Sequence, residues 1–258
     1  DIAMNVLVIG DSFGCIEKNH TWLGKLSSKY NWKIVNYSVA GSGPLYLIHK
    51  FLFLHENQEV KNFDLVIFLW SEPFRQFAPG DPRLSLDIDP QKTVNTKNFK
   101  ITQLIENIRH HFWNDRYFNI EHISNCVWMD YFIKNNYPNI KFWHLQCFPY
   151  YETGKEHFIH AADLKNQKHY HYFEHGINIS PSLAYLSMQD NFKSKKQIMK
   201  KFSNDNRPGH LSNEMHILLF ENLSKLFELE HKDGTEFFFH PELDQIQLGP
   251  YAIDKRDK

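Results

Sequence analysis

Four apolar stretches alternate with stretches of helical periodicity along this chain. Short apolar runs are typical of strands that are covered on both faces of a sheet, and strands that alternate with helices indicate βαβ units. The predicted strands span, in chain order, residues 6–9, 33–39, 64–70 and 140–147. The pattern therefore predicts an α/β protein that is built on a central parallel sheet.

Apolar residues that recur every three or four positions predict the helices between and after these strands. Residues 22–26 have this spacing, and residues 99–136 read mostly as helix. Residues 211–229 predict a closing helix. A further helix is predicted to begin at Pro44. Its buried face is predicted to consist of Leu45, Ile48, Phe51, Leu52 and His55.

Two segments interrupt this alternation. Residues 78–98 are polar and contain three prolines, which is typical of a long loop or an insertion. Residues 150–181 are irregular in pattern and rich in histidine and tyrosine. We therefore predict one domain over residues 1–233 with insertions near 78–98 and 150–181, followed by a C-terminal tail over residues 234–258.

The composition excludes several classes of function. The 29 basic and 30 acidic residues are balanced, so we expect no binding to nucleic acid or to an anionic membrane. The three cysteines are odd in number and lack CxxC spacing, which argues against a disulfide framework or a thiolate zinc site. No apolar run approaches the roughly 18 residues of a membrane helix, and no signal peptide is visible. We expect a location in the cytoplasm or in a virus particle.

A serine follows the first predicted strand, in the sequence Gly10-Asp11-Ser12. This position lies at the carboxyl end of a buried strand, where α/β proteins bind ligands. A serine there becomes a nucleophile if a histidine and an acid reach it, although by itself it equally suits the cap of a helix. His210 and Asp205 precede the closing helix. These residues together predict a serine hydrolase.

Three segments resemble sequence blocks of the SGNH (GDSL-type) hydrolases. They are the tripeptide that ends in Ser12, the segment from Asn36 to Gly41, and His210 with the Leu-Ser that follows it. The resemblance implies a flavodoxin-like three-layer α/β/α sandwich without a metal or cofactor. It also implies Ser12 as nucleophile, His210 as base, and the backbone N–H groups of Ser12 and Gly41 as the oxyanion hole.

The third block of the family departs from its usual form. The family has Gly-x-Asn-Asp after the third strand, with the asparagine donating to the oxyanion, whereas this chain has Ser71-Glu72-Pro73. An ionised carboxylate only accepts hydrogen bonds. Three arrangements remain open: Glu72 turns away to pair with Arg75 while Ser71 donates, Glu72 is protonated, or the hole keeps only backbone donors. We expect Asp11, Glu72 and Arg75 to lie beside the site.

The acid of the triad is also displaced. The family commonly has aspartate three residues before the histidine, and this chain has Arg207 there. Asp205 is the nearest candidate to orient His210. A Ser-His pair assisted by a backbone carbonyl is the alternative.

Two other sequence patterns suggest different kinds of site. Residues 10–14 match the Gly-x-Ser-x-Gly elbow of α/β-hydrolases, but in that fold several strands precede the elbow, and here only nine residues do. His169, His171 and His175 lie close together beside Glu174, and we interpret them as a surface cluster rather than a metal site.

The hypothesis that follows is a serine esterase that removes a small O-acyl group, such as acetyl, from a carbohydrate. A fold relative that has lost hydrolysis and serves as a binding or structural module, for example in a phage particle, is one alternative. The altered third block supports it. An acyltransferase that passes the acyl group to a sugar is the other.

Overall fold

The computed structural model describes residues 3–15, 20–72, 75–77, 85–87, 99–111, 115–147, 150–151, 158–159, 177–179, 183, 211 and 213–233. The strands are β1 (Met4–Gly10), β2 (Trp32–Ser38), β3 (Leu65–Trp70), β4 (Arg75–Phe77), β5 (Ser85–Asp87), β6 (Lys141–Gln146), β7 (Tyr150–Tyr151), β8 (Phe158–Ile159) and β9 (Ile177–Ile179). The helices are α1 (Trp22–Tyr30), α2 (Pro44–Glu56), α3 (Phe99–His111), α4 (Asp115–Asn136) and α5 (Asn213–Asp233). Single 3-10 turns span Ser12–Gly14 and Val60–Asn62.

Five parallel strands form the main sheet, in the order β2-β1-β3-β6-β9. Taken in chain order, this is the flavodoxin order 2-1-3-4-5. All six residues of β3 are buried, as the apolar run predicts for a central strand that is covered on both faces.

Helices cover both faces because side chains along a strand alternate between them. Val6 and Val8 of β1 pack into the apolar core that contains side chains of α1 and α5. Leu7 and Ile9 pack into the core that contains side chains of α2 and α4. The predicted three-layer α/β/α fold with a central parallel sheet is therefore confirmed.

The structure corrects the predicted orientation of α2. The helix begins at Pro44 as predicted, but Leu45 is 37% exposed and Leu47 is 1% exposed. Leu47, Phe51 and Leu54 face the core and Ile48 packs against it, so the prediction is right for Ile48 and Phe51 and wrong for Leu45.

Two segments that were predicted to be irregular contain strands. Within residues 78–98, β5 pairs antiparallel with β4 to form a hairpin. Within residues 150–181, β7 pairs with β8, and β9 pairs with β6 as the fifth strand of the main sheet. The other residues of both segments lie outside the described residues, as does the predicted tail, 234–258.

Buried polar side chains line the layer between α4 and the sheet. Trp70 Nε1 donates to Nδ1 of His144 at 3.1 Å, so a neutral His144 carries its proton on Nε2. That atom lies 3.4 Å from Oδ1 of the fully buried Asp130. Nearby, Nε2 of His122 lies 2.9 Å from Oε1 of Gln146, and burial lowers the pKa of His122 to about 4.

Replacing two leucines of α2 separately tests its orientation. We expect Leu47→Ala to lower the free energy of unfolding by about 2–5 kcal/mol, because it leaves a cavity in the core. Leu45→Ala is the matched control and should stay within about 0.5 kcal/mol of the wild type, since its side chain is already partly in solvent. Urea unfolding measures both. Equal losses in the free energy of unfolding would contradict this orientation, because Leu45 would then contribute to the core as much as Leu47 does.

Acid should destabilise the protein through the buried His122 and the partly buried His216. The pKa values of His122 and His216 are each lowered from 6.5 to about 4, in both cases first by burial. Between these pH values the unfolded chain takes up protons that the folded protein does not. Stability is therefore fully present above pH 6.5 and is lost as the pH falls towards about 4.

Urea unfolding between pH 7 and pH 4.5 checks this dependence, with His122→Gln as the variant. The variant should lose about one proton of the uptake that accompanies unfolding in acid, because the titrating group is gone. Wild type and variant with identical pH dependence would show that His122 does not contribute to it.

Candidate active site

Three loops meet where β1, β2 and β3 end at their carboxyl termini. Their described residues are 10–15, 39–43 and 71–72, and Arg75, the first residue of β4, adjoins the third. The carbonyl oxygen of Gly10 accepts hydrogen bonds from the Val39 N–H and from the Ser42 hydroxyl, each at 2.8 Å. The Asp11 N–H donates to the carbonyl oxygen of Leu69 at 3.2 Å. The first loop is therefore fixed to both of its neighbours.

Ser12 begins a 3-10 turn whose backbone is anchored on several sides. A Cβ at Gly10, where φ is 145°, would overlap the Leu69 carbonyl oxygen, so this close approach of the strands requires glycine. The Phe13 carbonyl accepts from Trp22 Nε1 at 2.8 Å, and the Gly14 carbonyl accepts from Asn36 Nδ2 at 2.6 Å. Ser12 is partly exposed on this fixed turn.

The carboxylate of Asp11 lies at the centre of the site and is fully buried. Its Oδ1 accepts from both the N–H and the hydroxyl of Ser12. Its Oδ2 accepts from the Ser71 hydroxyl and, at 2.6 Å, from Nη1 of Arg75. Burial of a carboxylate is costly unless it is paired, and the Arg75 guanidinium supplies the opposite charge here.

Glu72 is paired with Arg75. The Nε of Arg75 donates to Glu72 Oε2 at 3.2 Å, and the Arg75 backbone N–H donates to the Glu72 carbonyl at 3.2 Å. Glu72 is 9% exposed, and the side chain of Arg75 is 15% exposed. The first of the three arrangements that the sequence left open paired Glu72 with Arg75, and the structure contains this pair. The Ser71 hydroxyl, which was a candidate oxyanion donor, donates to Asp11.

The second loop contributes two glycines that have different physical roles. Gly41 has φ of 77° and no atom within 4 Å of the place where a Cβ would stand, so its backbone conformation is what favours glycine. A Cβ at Gly43 would overlap the carbonyl oxygen of Arg75. This contact of Gly43 holds the second loop against the third.

Two cysteines adjoin the site, and neither is a candidate nucleophile. Burial, and after it the charge of Asp11, raise the pKa of Cys15 to about 11. Burial also raises the pKa of Cys147 well above its usual value. Because the thiolate is the nucleophilic form, a raised pKa leaves both side chains mainly as the less nucleophilic thiol at neutral pH.

His210 and Asp205 lie outside the described residues, as do the clustered histidines 169, 171 and 175. The next described residue, Leu211, packs against the core that contains Phe13. In the first turn of α5, Nδ1 of His216 accepts from the Trp22 N–H at 3.4 Å. The start of α5 therefore lies beside the start of α1.

Within the described ranges, no group of three or more histidine, cysteine, aspartate or glutamate side chains is arranged to hold a metal ion. None of the helices in that same part of the chain has the length and apolar character needed to cross a membrane.

Comparison with solved structures finds carbohydrate esterases. An acetyl xylan esterase from Butyrivibrio proteoclasticus is 12% identical with a TM-score of 0.44, over 90% of this chain and 64% of that protein. A family two carbohydrate esterase from Clostridium thermocellum is 11% identical with a TM-score of 0.41, over 90% of this chain and 65% of that protein. The chain thus spans less than two thirds of both esterases.

A protein from Parabacteroides merdae described as a GDSL-like lipase is 13% identical with a TM-score of 0.39, over 86% of this chain and 95% of that protein. No family model matches the sequence, and no curated protein matches it significantly. Because these TM-scores are below 0.5, the fold is assigned from the strand order and the two helical layers.

Substitutions at the two glycines separate strain from steric overlap. Gly41→Ala should lower the free energy of unfolding by about 1–2 kcal/mol, because the left-handed backbone conformation is unfavourable for alanine. Gly41→Asn should lower it less, because asparagine adopts this conformation more readily. At Gly43 the added Cβ itself overlaps the Arg75 backbone, so Gly43→Ala and Gly43→Asn should cost at least about 1–3 kcal/mol each. Urea unfolding of the four variants decides. Because Gly43 is the N-cap of α2, where asparagine is favoured over alanine, the overlap is contradicted if both Gly43 variants are as stable as the wild type.

Proposed function

We propose that this protein is a serine esterase of SGNH type that acts through Ser12. The observation that carries the proposal is the position of Ser12, a partly exposed residue on an anchored turn at the carboxyl end of β1. The loops after β2 and β3 flank it, and this edge of a parallel sheet is where ligands bind in open α/β folds.

In the proposed reaction, Ser12 Oγ attacks the ester carbonyl carbon while His210 takes the hydroxyl proton. The oxyanion that forms is stabilised by the N–H groups of Ser12 and Gly41. It then collapses to an acyl-Ser12 ester as His210 passes the proton to the departing alcohol. Water then attacks the acyl carbon while His210 takes its proton. As the bond from the acyl carbon to Ser12 Oγ breaks, His210 returns that proton to Oγ and the carboxylic acid leaves.

Placement of His210 near Ser12 is supported by the residues that follow it. Leu211 packs against the core group of Phe13, and His216 contacts Trp22, whose indole bonds the Phe13 carbonyl. The chain therefore enters α5 close to the turn that carries Ser12. Asp205 is proposed to orient His210, with a backbone carbonyl as the alternative.

The proposed substrate is an acetyl ester on a carbohydrate. This choice follows from the resemblance of the sequence to the SGNH hydrolases. Transfer of the acyl group to a second sugar uses the same acyl-Ser12 intermediate, and a rate that depends on an added alcohol distinguishes the two reactions.

A binding module without catalytic activity is the second candidate. One observation favours it: both donors of Ser12, the N–H and the hydroxyl, are directed at Asp11. For catalysis the hydroxyl must leave Asp11 and donate to the base, and the N–H must turn from Asp11 to the oxyanion. A protein in which they cannot do so would bind without turnover.

Hydrolysis of p-nitrophenyl acetate and labelling by a fluorophosphonate test the proposal. Ser12→Ala and His210→Ala should each lower the hydrolysis rate by about 10⁴-fold or more, because each removes a member of the catalytic unit. Labelling should disappear in Ser12→Ala.

Ser28→Ala is the matched control, since Ser28 is an exposed serine on α1. Its hydrolysis and labelling should equal those of the wild type. A folded wild type that neither turns over nor labels would overturn the esterase and favour the binding module.

A further inference from the structure

A continuous chain of charged side chains links Glu72 to the Ser12 hydroxyl. Glu72 Oε2 accepts from Nε of Arg75, and Nη1 of Arg75 donates to Oδ2 of Asp11 at 2.6 Å. Oδ1 of Asp11 accepts from Ser12. The chain is shielded from water, since Arg75 has the largest exposed side-chain fraction of the three charged residues, 15%.

The charge of Asp11 opposes acyl transfer in two ways. It stands one residue from the nucleophile, so it repels the oxyanion that develops when Ser12 attacks. It also accepts the Ser12 hydroxyl hydrogen bond that the base must receive instead, and hydrogen bonds to a charged acceptor are the stronger kind. An arginine nitrogen 2.6 Å from the same carboxylate offsets both effects.

We infer that Arg75 is a positioning residue that neutralises Asp11 beside the nucleophile, and that Glu72 holds Arg75 in place. The inference rests on the proposed function, because it concerns the reactivity of Ser12. In this assignment Glu72, which with Ser71 occupies the place of the family's asparagine, acts through Arg75 and not on the oxyanion.

The geometry of Arg75 suits this role better than a lysine would. Its planar guanidinium contacts two carboxylates through two different nitrogens, which a single ammonium group does not reproduce. Its backbone is fixed as well, because its N–H donates to Glu72 and its carbonyl packs against Gly43. The guanidinium is therefore held by the same loops that flank Ser12.

A double-mutant cycle on the two charges tests the inference, with fluorophosphonate labelling and p-nitrophenyl acetate hydrolysis as readouts. Arg75→Gln should lower kcat and the labelling rate about 100-fold with KM little changed, since a misplaced catalytic group costs that much. Asp11→Asn keeps the acceptor oxygen and removes the charge. The double variant should react at least about tenfold faster than Arg75→Gln alone, because the effects of substitutions at two residues in contact are not additive.

Three further variants complete the design. Arg75→Lys keeps the charge and should fall between the wild type and Arg75→Gln. Glu72→Gln should lower kcat in the same direction as Arg75→Gln but less. Lys61→Gln removes an equal charge from the exposed turn that precedes β3, and it should match the wild type.

The outcomes separate the inference from the proposed function. A wild type that neither hydrolyses nor labels overturns the proposed function and, with it, the inference. If the wild type is reactive, and the change in rate of the double variant equals the product of the changes in the two single variants, the inference alone is overturned. Circular dichroism and urea unfolding test whether each variant is folded. If Arg75→Gln does not fold, the double-mutant cycle is built from Arg75→Lys and Asp11→Asn instead.

Discussion

The organisation of the site depends on one buried charge. The Asp11 carboxylate has no contact with solvent, so its charge must be balanced by groups in its immediate neighbourhood. Those groups come from Ser12 in its own loop and from Ser71 and Arg75 in the loop after β3. Satisfying the carboxylate therefore joins the ends of two neighbouring strands, and the contact of Gly43 with the Arg75 backbone adds the loop after β2.

Much of the architecture could be predicted from the sequence, because a strand that is buried on both faces consists of consecutive apolar residues. This pattern predicts the central strands β1 and β3, and Pro44 marks the start of α2. The face of α2 could not be read, because its sequence is apolar nearly all round. Both the set that includes Leu45 and the set that includes Leu47 have helical spacing, and only packing against the sheet selects the second.

The edge strand β9 was missed for a different reason. It has only three residues, Ile177–Ile179, and a run this short is indistinguishable from isolated apolar residues in a loop. Its strand conformation depends on pairing with β6, whose partner residues are more than thirty positions away in the sequence. Information about that pairing is held in the tertiary structure and not in the local pattern.

The same distinction applies to the site. That Ser12, Gly41 and Glu72 share one edge follows from strand order, because each comes after a parallel strand. That Arg75 reaches Asp11 does not follow, since it depends on the path of the chain after β3 and on side-chain rotamers. The sequence did contain one relevant signal, an arginine three residues after a carboxylate in a position where the resembled family has a neutral amide.

Under the same inference, the balance of charge around Ser12 separates the two candidate functions. A hydrogen bond to a charged acceptor contributes about 1.5–3 kcal/mol, which is enough to hold a hydroxyl away from a neutral base. With Asp11 uncompensated, the resting arrangement would favour an inert serine and a binding protein. With Arg75 at 2.6 Å, the acceptor is weakened while its geometry is kept. On the inference that Arg75 neutralises Asp11, reactivity at Ser12 depends on how firmly Glu72 fixes Arg75, and the residues that replace the third block of the resembled family are then the ones proposed to determine whether the site is catalytic.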